Sequence, residues 1–201
     1  MRGKPAPDVY AVRCECLQEW ERLGEQGQID VLYGDESGVC LQPSITSGWQ
    51  FRGEEVTAPS SHGGRLNCFA LLARDNTCFV RSTEETVTAD WLAKQLDEFS
   101  QGLKRLTVIV LDNAPVHKKM AREHGQKWEE RGLYVGFLPP YSPHLNIVET
   151  LWKKLKYEWL KAKDYATKAT LHEATKRVLG EVGKSLRIAF KPFEMPRISL
   201  T

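Results

Sequence analysis

Apolar residues recur along this chain in two rhythms, one helical and one extended. Cys16, Leu17, Trp20 and Leu23 fall three or four apart, which predicts an amphipathic helix over residues 12–26 closed near Gly24 and Gly27. Ile29, Val31, Leu32 and Tyr33 then read as a strand over 29–36 whose far end carries two acids, Asp35 and Glu36. A short apolar piece at 38–41 follows. From 43 to 64 Ser, Gly and Pro crowd together and periodicity vanishes, so a long loop or extended hairpin is expected there. Apolar runs at 65–73 and 77–82 flank Arg74, Asp75 and Asn76, which predicts a β-hairpin. Thr88 opens a helix with Trp91, Leu92, Leu96 and Phe99 inward and Gly102 near its end. Residues 106–112 are an unbroken, β-branched run, as suits a strand buried on both faces, and they end on Asp112. A helix at 117–131 closed by Gly132 leads to a second buried strand at 133–138. Pro139, Pro140 and Pro143 then fix a rigid turn, because proline sets φ and withholds a donor. Beyond it, Leu145, Val148, Trp152, Leu155 and Trp159 resume helical spacing, with Asn146 as the cap and both tryptophans in the core. Leu171, Ala174, Val178, Leu179 and Val182 place a last helix over 167–182.

This order predicts three antiparallel strands followed by strand-helix units that add parallel ones. The expected fold class is α/β: a ribonuclease H-like, mixed five-stranded sheet with helices on both faces, an analogy that does not by itself fix a reaction. The expected organisation is an N-terminal helix and linker at 1–28, a catalytic domain at 29–165 with a loop insertion at 43–64, and a C-terminal helix and tail at 166–201. A chain of 201 residues suits one domain with such appendages.

Composition adds limits. With 41% hydrophobic and 27% charged residues the chain reads as globular, and no apolar run is long enough to cross a bilayer. The first residues lack the apolar core of a signal peptide. The five cysteines are odd in number and lack zinc-ribbon spacing, so buried free thiols in a cytoplasmic protein are expected. The formal net charge is only +2, but acids dominate before residue 60 and lysines and arginines dominate from 117 to 163. That asymmetry favours a polyanionic partner.

The chemistry lies in three acids. Asp35 and Asp112 each close a predicted strand, and Glu149 sits in the first turn of the helix after the proline turn. Singly, each has a structural explanation, since Asp suits turns and a first-turn Glu suits the helix dipole and can pair with Lys153. Together they occupy positions that parallel strands gather at one sheet edge. Three carboxylates without a counter-charge would repel, whereas Mg²⁺ or Mn²⁺, hard ions that keep waters and engage phosphate, would neutralise them. Two such ions would suffice for phosphoryl transfer.

Three blocks then carry a resemblance: Tyr33-Gly34-Asp35-Glu36-Ser37-Gly38, Leu111-Asp112-Asn113-Ala114-Pro115-Val116-His117-Lys118, and Tyr141-Ser142-Pro143-His144-Leu145-Asn146-Ile147-Val148-Glu149 with Trp152. In this order they resemble the signature blocks of the mariner superfamily, in particular its bacterial insertion-sequence transposases. Trp49-Gln50-Phe51-Arg52-Gly53 is similar to a patch such enzymes carry in the loop after the first catalytic strand. The resemblance implies an Asp-Asp-Glu metal triad at Asp35, Asp112 and Glu149 and two Mg²⁺ or Mn²⁺ ions. It also implies cleavage of transposon ends with joining to target DNA, usually at TA, and a homodimer. His144 stands where the family has an acid, and Ile147 where it has proline. The family's helix-turn-helix region has no counterpart before Asp35, so a catalytic domain alone is expected.

Other residues carry secondary expectations. Trp49, Arg52, Lys118, Lys119, Lys153 and Lys156 are DNA-contact candidates, the lysines through phosphate. Asn113 and His117 are candidates for supporting Asp112, with turn or cap roles as the plainer reading. Two rival functions follow from the same residues. One is a non-catalytic transposase remnant that binds DNA or a partner. The other is an RNA-DNA hybrid nuclease, for which Asp90 or Asp97 would have to supply a fourth acid.

Overall fold

A computed structural model describes residues 7–42 and 64–194. Its centre is a five-stranded sheet: β1 (Asp30–Val39), β2 (Leu66–Leu72), β3 (Cys78–Thr83), β4 (Thr107–Leu111) and β5 (Leu133–Phe137), in the order β3-β2-β1-β4-β5. β1 runs antiparallel to β2 and β2 to β3, while β4 pairs in parallel with β1 on one side and β5 on the other. The alternation of side chains splits the sheet into two cores. On one face Leu32, Phe69, Leu71, Ile109 and Leu111 meet α2 (Ala89–Ser100) and α3 (Pro115–Glu129). On the other, Tyr33, Ala70, Leu72, Val108 and Val110 meet α1 (Pro7–Glu25), α4 (Val148–Lys154) and α5 (Lys168–Gly180). Leu17 of α1 and Leu171 of α5 belong to the same core as the sheet. All five residues of β4 are buried, because it is covered on both faces and paired on both edges.

The elements follow local chemistry. Thr88 caps α2 by accepting a hydrogen bond from the Trp91 amide at 3.2 Å, and Pro115 starts α3 at the one turn where its missing N–H is harmless. Several expectations change in the fold. β1 does not end at residue 36 but continues to Val39, so Asp35 lies inside the strand, with Gly38 paired opposite Asn67. β5 is a sheet edge rather than a doubly buried strand. Tyr134 is 40% exposed there, and further along the same face the Trp20 ring lies where a side chain on Gly136 would stand. The helix after the proline turn is not uniform: α4 passes into a π-helical turn, Leu155–Trp159, where Trp159 is half-buried rather than core. Of the thiols expected to be buried, Cys14 and Cys68 are, Cys40 and Cys78 are half-buried, and Cys16 is exposed. The predicted loop lies outside the described residues except for its last position, Gly64. Among the described residues, no helix is long and apolar enough to cross a membrane.

Candidate active site

The strand register brings the acids together. Tyr33 pairs with Val110 across β1 and β4, so two residues further on Asp35 and Asp112 stand level at the carboxyl end of both strands. They share the parity of Tyr33 and Val110, which face the core that contains α4. Asn146 fixes that helix against β1: its amide donates to the Gly34 carbonyl at 3.1 Å, and its Oδ1 accepts from the Val148 amide at 3.1 Å. Glu149, in the first turn of α4, thereby enters the field of Asp35. Trp152, one turn later, donates its indole N–H to Asp35 Oδ2 at 3.2 Å. Asp35, Glu36, Ser37 and Glu149 line one shallow cleft with Lys153, Lys156 and Tyr157.

Burial pushes the Asp35 carboxyl up to about 7. The Glu36 backbone N–H opposes this, and the negative charges of Glu149, Glu36 and Asp112 add to it. Asp112 behaves oppositely. Its carboxyl is held below the usual range chiefly by His117, against the effect of burial and with help from the Ala114 amide at 2.8 Å.

His117 is the hinge of the arrangement. Only 1% exposed, it sets Nδ1 against Asp112 Oδ1 at 2.6 Å and Nε2 against Glu36 Oε1 and Oε2 at 2.9 and 3.2 Å. Burial alone would lower its pKa, but hydrogen bonds to Asp112 and Glu36 outweigh this and push it up to about 10. The ring is therefore an imidazolium that donates to both acids. It is neither a turn nor a cap residue, because Pro115 starts α3 two residues earlier and turns position 117 inward. Glu36 was not among the candidates, although alternation along β1 places it opposite Asp35, on the face that α3 covers. Trp152 was expected in the core, and it is buried there, yet its one polar atom serves Asp35.

The remaining candidates divide. Asn113 donates to the Leu138 carbonyl at 2.7 Å and accepts from Arg13 Nη1 at 3.0 Å, so it ties the end of β4 to α1 and to the chain leaving β5. Lys118 lies close enough to Asp112 to lower its pKa, and Lys119 is exposed one residue on. Lys153 and Lys156 border the cleft of Asp35 and Glu149. Trp49 and Arg52 lie outside the described residues. Asp97 is engaged by Lys127 and Arg131, both at 2.8 Å, and Asp90 sits in the first turn of α2.

Among the described residues, no three His, Cys, Asp or Glu side chains converge closely enough to cage a metal as they stand. The donor set nevertheless fits a hard divalent ion: all-oxygen carboxylates with surplus negative charge, one of them driven towards protonation by burial and then by its neighbours.

Residues 30–172 match the family model of the DDE superfamily endonucleases. The insertion element IS630 uncharacterized 39 kDa protein of Shigella sonnei is 30% identical over 139 residues, covering 62% of this chain and 37% of that protein. The chain thus spans just over a third of that relative's length. Among solved structures, the Mos1 transposase paired-end complex with left transposon end shares 18% identity at a TM-score of 0.52, over 92% of this chain and 62% of that one. The Mos1 mariner paired end complex with Mn gives 18% and 0.51, over 90% and 64%. The catalytic core domain of BIV integrase gives 15% and 0.50, over 78% and 84%. These likenesses are likenesses of fold, and the fold is ribonuclease H-like.

Proposed function

The chain belongs to the DDE superfamily of endonucleases, and on that premise we propose that it is the catalytic domain of a transposase that cuts transposon ends and joins them to target DNA. The observation that carries this reading is the position of Asp35, Asp112 and Glu149 at one end of the sheet, where burial and, after it, the charges of Glu149, Glu36 and Asp112 destabilise Asp35 as an anion. Asp35, Asp112 and Glu149 would hold the metal, two Mg²⁺ or Mn²⁺ ions, as the all-oxygen donor set suggests and as the Mn complex of its fold neighbour Mos1 parallels. When bound, such ions activate a water or 3′-hydroxyl and stabilise the leaving oxygen.

The protein's own residues supply position and charge. Trp152 orients the Asp35 carboxylate through its indole N–H, and His117 holds Asp112 and Glu36 in fixed directions across the sheet end. No histidine base is needed, and His117 is unsuited to be one, since both its nitrogens are engaged by Asp112 and Glu36. Lys118, Lys153 and Lys156 edge the site and would hold phosphates, giving salt-dependent binding with little sequence preference. Lys119, Trp49 and Arg52 are assigned to DNA contact on sequence grounds alone, as are the homodimer and the TA target.

The test is nicking of supercoiled plasmid by the wild type and by Asp112→Asn, with Mg²⁺, Mn²⁺ or EDTA. Nicking that needs metal and disappears in the variant is expected. Metal-dependent nicking retained by a folded Asp112→Asn protein would overturn the assignment. The hybrid-nuclease reading has less support, because Asp97 is committed to Lys127 and Arg131. Comparison of an RNA-DNA hybrid with duplex transposon ends tests it directly.

A further inference from the structure

Two tyrosines project into solvent beside the carboxylates. Tyr141 is 65% exposed and Tyr157 57% exposed, far more than a core aromatic. Tyr141 also has φ of 58°, the left-handed region in which a bulky side chain is an outlier. The turn enforces this: Pro139, Pro140 and Pro143 bracket it, and buried Ser142 donates its hydroxyl to the Pro140 carbonyl at 3.3 Å. Glycine would meet the backbone requirement without strain. The ring does not offset the strain by packing, since most of it is in water. Strained non-glycine residues of this kind gather at ligand sites. The turn borders the same recess as Asp112, Asn113 and Lys118.

Tyr157 lies on the other side. It belongs to the π-helical turn in which the helix of α4 ends, and it lines the cleft of Asp35, Glu149, Lys153 and Lys156. Each exposed ring is thus paired with lysine and with one part of the acid cluster. Aromatic faces interleaved with basic side chains are how proteins hold single-stranded nucleic acid, bases on the rings and phosphates on the cations.

We propose that Tyr141 and Tyr157 are stacking platforms for unpaired bases of the DNA strand being cut, one on the Asp112 side of the site and one on the Asp35–Glu149 side. The inference rests on the reading of those carboxylates as a DNA-cutting site. The substrate it specifies is a duplex whose bases are frayed or flipped out at the cut, and a fully paired duplex should bind less well.

The test compares a duplex carrying a short single-stranded overhang, with 2-aminopurine in the overhang, against the blunt duplex. Ca²⁺ replaces Mg²⁺ so that binding is measured without cutting. Wild-type protein should quench the 2-aminopurine. Tyr141→Gly and Tyr157→Ala should each weaken overhang binding by about tenfold to a hundredfold and leave blunt-duplex binding within about threefold. Tyr141→Gly should also raise Tm, because it relieves the left-handed backbone, whereas Tyr157→Trp should retain overhang binding. Overhang binding unchanged in either variant overturns the two-platform arrangement, and equal losses on both DNAs overturn stacking. If the wild type nicks plasmid with Mg²⁺ while the tyrosine variants bind overhangs normally, only the stacking proposal falls. If the folded wild type neither binds nor nicks DNA, the underlying reading falls with it.

Discussion

Two ionic clusters touch β1 within three residues of each other, and they are built on opposite plans. In the first, buried Glu21 of α1 accepts from Arg74 Nε at 2.9 and 2.8 Å and from the Tyr33 hydroxyl. Arg74 spends a second nitrogen on the Lys191 carbonyl at 2.7 Å. One acid meets one base. The Tyr33 hydroxyl stays protonated, because burial and the adjacent Glu21 charge raise its pKa. In the second cluster Asp35 lies in the field of Glu149, Glu36 and Asp112, and the buried cation His117 is taken up by Glu36 and Asp112. Among the described residues, Asp35 is met by neutral donors, the Trp152 indole N–H and the Glu36 amide. The first cluster is closed and joins α1, β1, the β2–β3 hairpin and the chain after α5. The second is left acidic, which is unfavourable in an empty site and favourable beside a cation. A self-neutralising cluster serves stability, and one with charge to spare serves a ligand.

Breaking the second cluster should have the largest effect on activity. Glu149→Gln is expected to lower metal-dependent plasmid nicking by about a thousandfold, the order seen when a group acting on transition-state charge is lost. Tm should barely change, and near-normal nicking would remove Glu149 from the site. Breaking the first should act on stability instead. Glu21→Ala leaves Arg74 without its carboxylate in a partly buried setting and should cost roughly 3–5 kcal/mol in urea unfolding. Nicking per folded molecule should be preserved, and a loss confined to activity would erase the distinction between the clusters.

Asp35→Asn should have the opposite sign, stabilising the metal-free protein by about 1–2 kcal/mol at pH 8 while abolishing cleavage. Its pH dependence follows from the raised pKa. The folded state holds a proton up to about pH 7 that the unfolded carboxyl releases near its ordinary value of 3.8, so the native contribution is full below that lower value and is lost as pH rises through 7. The advantage of Asp35→Asn, read by urea unfolding in EDTA, should therefore be large at pH 8 and vanish near pH 4. An advantage equal at both would show that ionisation is not its cause. The smallest effect is a reporter. Burial pushes the Cys68 and Cys78 thiols up to about 12, so both should resist iodoacetamide at pH 8 while exposed Cys16 reacts. Their alkylation should quicken in Glu21→Ala and not in Glu149→Gln.

Much of this molecule was legible in the chain, and the failures have physical reasons. The β-branched run at 107–111 could be read as a doubly covered strand because burial on both faces demands an unbroken apolar stretch. The run at 133–137 looks similar, yet it is an edge, since edge and centre differ in neighbours rather than in composition. Asp35, Asp112 and Glu149 were visible as acids at element ends. Glu36 and Arg13 were not, because their partners, His117 and Asn113, lie 81 and 100 residues away in sequence.

The sequence by itself determined the elements and their order, because the periods of 2 and 3.6, the caps and the prolines act over a few neighbouring residues. It also determined which acids were available, and its signature blocks pointed to a family. Only the tertiary structure decided that these acids form one cluster. The parallel register of β1 and β4 sets Asp35 level with Asp112, and Asn146 ties α4 to Gly34 so that Glu149 joins them. His117 crosses the sheet end to Glu36 because strand alternation sends successive acids to opposite faces. Those are distances between segments far apart in the chain, and local propensity carries no information about them.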